Sequence, residues 1–293
     1  MSNRITAGLD GSDADLACAD WAAEEAELRG ADLDLVHVED WPLYAPFAVP
    51  LPESRRRWTE ELLARARQRL AREHPALDIS TRRIDGLATA DALASAAADA
   101  DLLVLGSRRL GPVAGFFVGS TGSDTIPRTE TPVVRVRAAT ESPDGSPGPT
   151  GDDGPVVVGV DLRSTCDRLF AFACEEAHRR SCPLVVIHGW SPPPMLAYAP
   201  ALDPGVEEEI ADRLEARLRE LLSPWERKYP RLVVDSRAVI GQPAVQILEA
   251  ASGAALVVVG RRIRRSALGT HIGPLTHAVM HHATSPVAVV AHD

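Results

Sequence analysis

Hydrophobic positions fall into two alternating patterns along the chain. Short continuous apolar runs, such as residues 5–9, alternate with longer stretches in which apolar residues recur every three or four positions. In 14–28 that stripe is Leu16, Ala19, Ala23 and Ala26. The first pattern is that of a buried strand and the second that of an amphipathic helix. The alternation predicts strands at 5–9, 33–38, 79–84, 102–105 and 133–136. Helices are predicted between them at 14–28, 54–72, 89–98 and 120–128, with Ser54 as the N-cap of the second. Strands that alternate with helices imply an α/β fold with a parallel sheet covered on both faces. Right-handed crossovers make that sheet doubly wound.

The order then repeats. The segment ending in Gly8-Leu9-Asp10 resembles the one ending in Gly159-Val160-Asp161, at an offset of 151. Glu24-Glu25-Ala26 meets Glu175-Glu176-Ala177, and Val36-His37 meets Ile187-His188, at the same offset. Gly106 then matches Gly260, Gly119 matches Gly273, and Pro132-Val133 matches Pro286-Val287, at an offset of 154. A repeat that keeps its order with so small a change of length is one fold written twice. The long helix of the second copy is predicted at 207–222. The chain is therefore expected to hold two tandem doubly wound, parallel-sheet (Rossmann-like) domains, 1–137 and 155–293, each of about five strands. Between them, residues 138–154 are rich in Pro, Gly, Ser and Asp and nearly devoid of apolar side chains. Such a segment buries too little surface to offset its ordering and is expected to be a flexible linker.

Composition narrows the function. Of 293 residues, 45% are hydrophobic and 25% charged, ordinary values for a globular protein. The net charge of −10 disfavours broad attraction to nucleic acid or anionic membrane, and neither is expected as a partner. No apolar run reaches the length of a membrane span, and the first residues lack the apolar core of a signal peptide, so a cytoplasmic location is expected. Cys18, Cys166, Cys174 and Cys182 match no zinc spacing and read as buried, reduced thiols.

Asp10, Val38 and Gly106 all stand at carboxyl ends of predicted strands, where ligands of doubly wound sheets bind. The stretch 106–121 follows the fourth strand and enters a helix. Its glycines allow close approach of backbone N–H groups to an anion, and Ser120 and Thr121 add hydroxyl donors. It is neither a Walker A loop nor a Rossmann G-x-G-x-x-G loop, and a Gly-rich connection needed only for tight turns remains the alternative.

These features resemble the universal stress protein family. Its ATP-binding members carry Gly, two residues, Gly, nine residues, Gly, then Ser or Thr. Here Gly106 is followed by Arg109 at the second Gly position, then by Gly119 and Ser120. The opening Gly8-Leu9-Asp10-Gly11-Ser12 also resembles the family's first strand and turn. The resemblance implies that Asp10 holds the base and ribose end, that the backbone at Val38 meets adenine, and that Gly106, Gly119, Ser120 and Thr121 cradle phosphate. Arg109 is the departure: a side chain there either costs the backbone contact or, with Arg108, reaches phosphate itself. In the second copy Ile263 replaces the second Gly, Pro274 replaces the hydroxyl residue, and Leu162-Arg163 replaces Gly11-Ser12. That copy is expected to be mainly structural. Family members pair through their fifth strands, which implies pairing of the two domains within this chain, or a homodimer.

Other clusters read more plainly. His277 and His281, four apart on a helix, share a face, but no Glu stands between them in the H-E-x-x-H manner, and a partly solvated helix end is preferred over a metal site. His37 and His188 read as packing residues near the crevice. Glu24-Glu25 and 207–209 read as solvated helix faces, and the 261–265 arginines as solvated or ion-paired. The Pro-rich aromatic stretches 41–47 and 190–198 read as lids, partner surfaces or packed-down excursions. The expectation is a cytoplasmic stress-response sensor or regulator that binds ATP, with or without magnesium, in its first domain, has no catalytic residues and at most hydrolyses ATP slowly, and meets a protein partner of unknown identity. A nucleotide-free scaffold and an ATP-dependent enzyme are the alternatives.

Overall fold

The computed structural model describes residues 3–12, 14–39, 52–86, 88–107, 120–137, 154–191, 205–263 and 272–293, with the backbone alone at Pro52 and Ser120. The chain divides into two compact units, Met1–Gly148 and Pro149–Asp293.

In the first unit β1 (Arg4–Gly8), β2 (Asp32–Glu39), β3 (Ile79–Asp85), β4 (Leu102–Ser107) and β5 (Val133–Arg137) form a sheet in the order β3-β2-β1-β4-β5. Each neighbouring pair is parallel, with Ile5 opposite both Leu33 and Leu102. The central strand is thus clamped on both edges, and Ile5, Thr6 and Ala7 are fully buried. Helix α1 (Ala14–Arg29) packs on β1, β4 and β5 and touches α2 (Pro52–Glu73), which lies on β2 and β3. The short helix α3 (Thr89–Ala96) contacts β2 and α4 (Ser120–Thr125). The connection from β1 to β2 passes through α1, and the one from β3 across the sheet to β4 passes through α3, which is the doubly wound arrangement the alternation implies.

The second unit repeats it with β6 (Val156–Gly159), β7 (Leu184–Trp190), β8 (Val234–Ile240), β9 (Leu256–Arg262) and β10 (Val287–His292) in the order β8-β7-β6-β9-β10. All neighbours within it are parallel. Its helices are α5 (Asp167–Arg179), α6 (Val206–Lys228), α7 (Pro243–Ala250) and α8 (Pro274–His282). Among the described residues no helix is long and apolar enough to cross a membrane.

Several local expectations are corrected. Leu16 is 60% exposed; the buried face of α1 is Asp15, Cys18, Ala19, Ala22, Ala23 and Ala26, so alanines rather than leucine let this helix lie close on the sheet. Glu25, read as solvated, is fully buried and ion-paired with Arg29 one turn on. Its counterpart Glu176 is likewise buried, with Arg179 at 3.1 Å and Arg180 at 2.7 Å. A charge that sits on the buried face needs such a partner, and removing either half costs about 3–5 kcal/mol. Ser54 is not an N-cap, because α2 already begins at Pro52, where a proline suits the first turn. Helix α6 does not stop near Leu222 but runs through Pro224 to Lys228; Leu218 and Leu222 anchor it, and Lys228 lies 5.4 Å over Trp225 and 5.1 Å over Tyr229. The helix expected at 120–128 ends at Thr125 and tightens to a 3₁₀ turn over Ile126–Arg128, where Pro127 has no N–H to donate. The four cysteines are free and buried. The segments 41–47, 138–153 and 192–198 lie outside the described residues.

Candidate functional site

The site in the first unit is built at the carboxyl ends of β1, β2 and β4. Leu9 extends the β1 ladder by one bond, its N–H donating to the Val36 carbonyl at 2.9 Å. The chain then turns sharply at Asp10, Gly11 and Ser12. Gly11 has φ +84°, which favours glycine, and the Ser12 N–H donates to Asp10 Oδ1 at 2.9 Å. From the first turn of α1, Asp15 reaches back: its carboxylate accepts from the Asp10 N–H at 3.0 Å and the Gly11 N–H at 2.7 Å. Burial pushes the Asp15 carboxyl up to about 6; those two N–H donors oppose the rise, and the neighbouring Asp10 charge adds to it. Asp15 was not among the residues singled out from sequence. Its signal was an acidic side chain in the first turn of a helix immediately after the strand-end turn.

Gly106 stands in β4 directly beside the start of α1. A Cβ there would lie 3.2 Å from both the carbonyl oxygen and the Cβ of Ala14. Glycine therefore serves close approach of strand to helix, and this approach draws the end of β4 to the Asp10–Ser12 turn. Val38 is buried in β2, opposite Ile84 and next to Gly86. Thr121 is exposed in the first turn of α4, where its carbonyl accepts from Thr125 Oγ1 at 2.6 Å. A chain of contacts ties α4 to β4: Gly122 packs on Arg135, and Arg135 Nη2 donates to Ser107 Oγ at 2.7 Å. Arg135 is buried, and burial, helped by the like charge of Arg137, lowers its guanidinium to about 10. Arg108, Arg109 and Gly119, and the side chain of Ser120, lie outside the described residues.

Two further groups line this end. His37 Nδ1 lies 2.8 Å from the Leu9 carbonyl and so pins the end of β1 to β2. His188 repeats the contact in the second unit, 3.0 Å from the Val160 carbonyl. Trp58, the sole aromatic residue of α2, meets His37 edge to face at 5.4 Å and lies against Gly11, yet stays 42% exposed. Sequence reasoning missed Trp58 because no motif marks it and its helix is anchored by other residues, the buried Leu63 and Leu70.

The matched place in the second unit is arranged differently. Asp161 is clasped by Arg163, which stands where Ser12 stands in the first unit: Nε to Oδ1 is 3.0 Å, Nη2 to Oδ2 is 3.2 Å, and the Arg163 N–H adds a bond at 3.1 Å. Arg262 lies 3.6 Å from the same carboxylate. Burial works to raise the Asp161 carboxyl, but Arg163 and Arg262 together hold it below its ordinary value. Thr276 Oγ1 donates to the Gly260 carbonyl at 2.6 Å, so this hydroxyl faces the strand. The His292 ring packs against Gly260, and burial together with Arg262 and Arg261 depresses its pKa. The buried guanidinium also changes strand between the units. Arg135 on β5 goes with Ser107 on β4, whereas at the matched positions β9 carries the buried Arg261 and β10 carries Val289.

A doubly wound parallel sheet with helices on both faces, written twice, defines a tandem Rossmann-like α/β protein. The model of the universal stress protein family matches residues 1–137 and 154–291, and the chain belongs to that family. It is 30% identical over 292 residues to universal stress protein Rv2005c of Mycobacterium tuberculosis H37Rv, covering 97% of this chain and 96% of the relative. It is 32% identical over 308 residues to universal stress protein Rv1996 of the same organism, covering 97% and 94%. A universal stress protein from Archaeoglobus fulgidus DSM 4304 has a similar fold, with a TM-score of 0.71 at 15% identity, over 100% of this chain and 97% of that one.

Proposed function

We propose that the first unit binds an adenine nucleotide, ATP with or without magnesium, and that the chain acts as a cytoplasmic sensor or regulator rather than as an efficient enzyme. The observation that carries this reading is the Asp10–Ser12 turn, where Gly11 has φ +84° and Gly106 lets the end of β4 approach the start of α1. In the second unit Leu162 and Arg163 stand in place of Gly11 and Ser12, and the Arg163 guanidinium binds Asp161 through Nε and Nη2. In the first unit Asp10 meets the ribose hydroxyls, the backbone near Val38 meets the base, and the half-exposed face of Trp58 flanks that end. Gly106, Gly119, Ser120 and Thr121 hold the phosphates, with the buried charge of Arg135 beneath the end of β4.

Calorimetry with ATP and magnesium on the full chain tests this. Heat from one site, lost in Asp10→Ala and retained in Arg163→Ala, is the expected result. Absence of heat and of thermal shift at millimolar ATP overturns it. The replacement of the family glycine by Arg109 favours a second reading, a nucleotide-free scaffold for a protein partner. That reading expects affinity to appear only in Arg109→Gly.

A further inference from the structure

Helix α8 carries three of the histidines of the second unit, His281 and His282 in its last turn and His277 one turn earlier. His277 is exposed, His281 partly so, and the two rings face each other with centroids 4.2 Å apart and planes inclined at 46°. Their Nε2 atoms are 3.2 Å apart. Two neutral imidazoles satisfy that contact only when one ring carries its proton on Nε2 and points it at the lone pair of the other. The same separation is the bite of a chelating pair. With a metal–nitrogen bond of about 2.0–2.1 Å, nitrogens 3.2 Å apart subtend roughly 100–105° at the ion. That angle falls between the octahedral and tetrahedral values. The four-residue spacing puts both rings on one helix face, and their rotamers already hold the two nitrogens at this distance, so little rearrangement is needed.

We propose that His277 and His281 form a two-histidine site for a divalent first-row transition ion, with copper favoured over zinc and nickel. Neutral imidazole nitrogen suits these three ions, and copper stands highest in the affinity order. On binding, the ring that held its proton on Nε2 carries it on Nδ1 instead, and both Nε2 lone pairs go to the metal. No proton is lost from the neutral pair. The last turn of a helix also favours positive charge, because the unpaired carbonyls there carry the negative end of the dipole. Among the described residues no group of three or more His, Cys, Asp or Glu side chains gathers at a metal site. Two imidazoles fill two positions of the proposed ion, and water or an outside ligand takes the others. His282, next in sequence, stands apart, its ring centroid 6.3 Å from that of His281.

The test is a titration of the untagged full chain with copper(II) chloride and then zinc chloride, followed by calorimetry, with electron paramagnetic resonance on the copper form. One equivalent is expected to bind, with a copper signal split by two histidine nitrogens. His277→Ala and His281→Gln are each expected to weaken binding at least ~10-fold, since the second imidazole acts at high effective concentration. His282→Ala is expected to change it less than twofold. Circular dichroism confirms folding of the variants, whose sites lie on a solvent-facing helix. No binding by the wild-type chain, equal binding in all the variants, or a loss in His282→Ala as large as in His277→Ala overturns the proposal.

Discussion

Gly11→Ala probes the turn at the proposed nucleotide site in a way the structure makes quantitative. Two costs are expected. A residue with a Cβ held at φ +84° pays about 1–2 kcal/mol for the left-handed conformation. The added Cβ would also stand 2.6 Å from Cη2 and Cζ2 of Trp58, a distance no real contact tolerates. Because Trp58 is 42% exposed, it swings outward instead of forcing the backbone, and it loses its edge-to-face contact with His37. Such aromatic pairs contribute about 0.5–1.5 kcal/mol, so the single variant is destabilised by about 2–3 kcal/mol in all. In a Trp58→Ala background the clash is gone and the contact already lost, so Gly11→Ala then costs only the backbone part. The two substitutions are expected to couple by about 1 kcal/mol, the double variant being less destabilised than the sum of the singles. Hydrogen exchange at the Leu9 amide reads the opening free energy of this turn directly, because that N–H is bonded to the Val36 carbonyl. Additive effects, within about 0.5 kcal/mol, would refute the steric account of why glycine stands here.

Asp15 gives a pH signature. Its carboxyl is pushed up to about 6 from 3.8, so the folded chain keeps a proton that the unfolded chain has released. The contribution of this group to the unfolding free energy therefore falls as pH rises from about 4 to about 6. Urea midpoints across that window are expected to show a flatter slope in Asp15→Asn than in wild type; equal slopes would mean that Asp15 titrates normally. The cysteines give a third test. Burial pushes the Cys174 thiol up to about 12 and Cys166 to about 11, and raises Cys18 and Cys182 as well. A thiol-specific reagent at pH 8 is expected to leave the native chain unmodified and to label all four in guanidinium chloride, whereas rapid labelling of the native protein would contradict the burial.

The sequence alone determined the architecture. Alternating periods of apolar residues encode which side of each element is buried, and a repeat at nearly constant offset encodes that it is done twice. The duplicated strand-end aspartates and the two buried histidines were legible for the same reason: each is a matter of residue type at a matched position. Tertiary structure decided the polar contacts. Glu25 reads as solvated from periodicity, yet it is buried because Arg29 lies one turn away to pair with it. Asp10 and Asp161 are the same letter in the repeat, but Arg163 folds back onto only one of them. Trp58 is remote in sequence from Gly11, and Arg135 from Ser107, and each pair meets only because parallel strands bring their carboxyl ends to one edge of the sheet. His277 and His281 share a helix face by spacing alone, but the rotamers that set their nitrogens 3.2 Å apart belong to the folded helix. Burial of apolar surface is non-directional and survives in a one-dimensional pattern. A hydrogen bond or an ion pair depends on distance and angle between groups that only folding brings together.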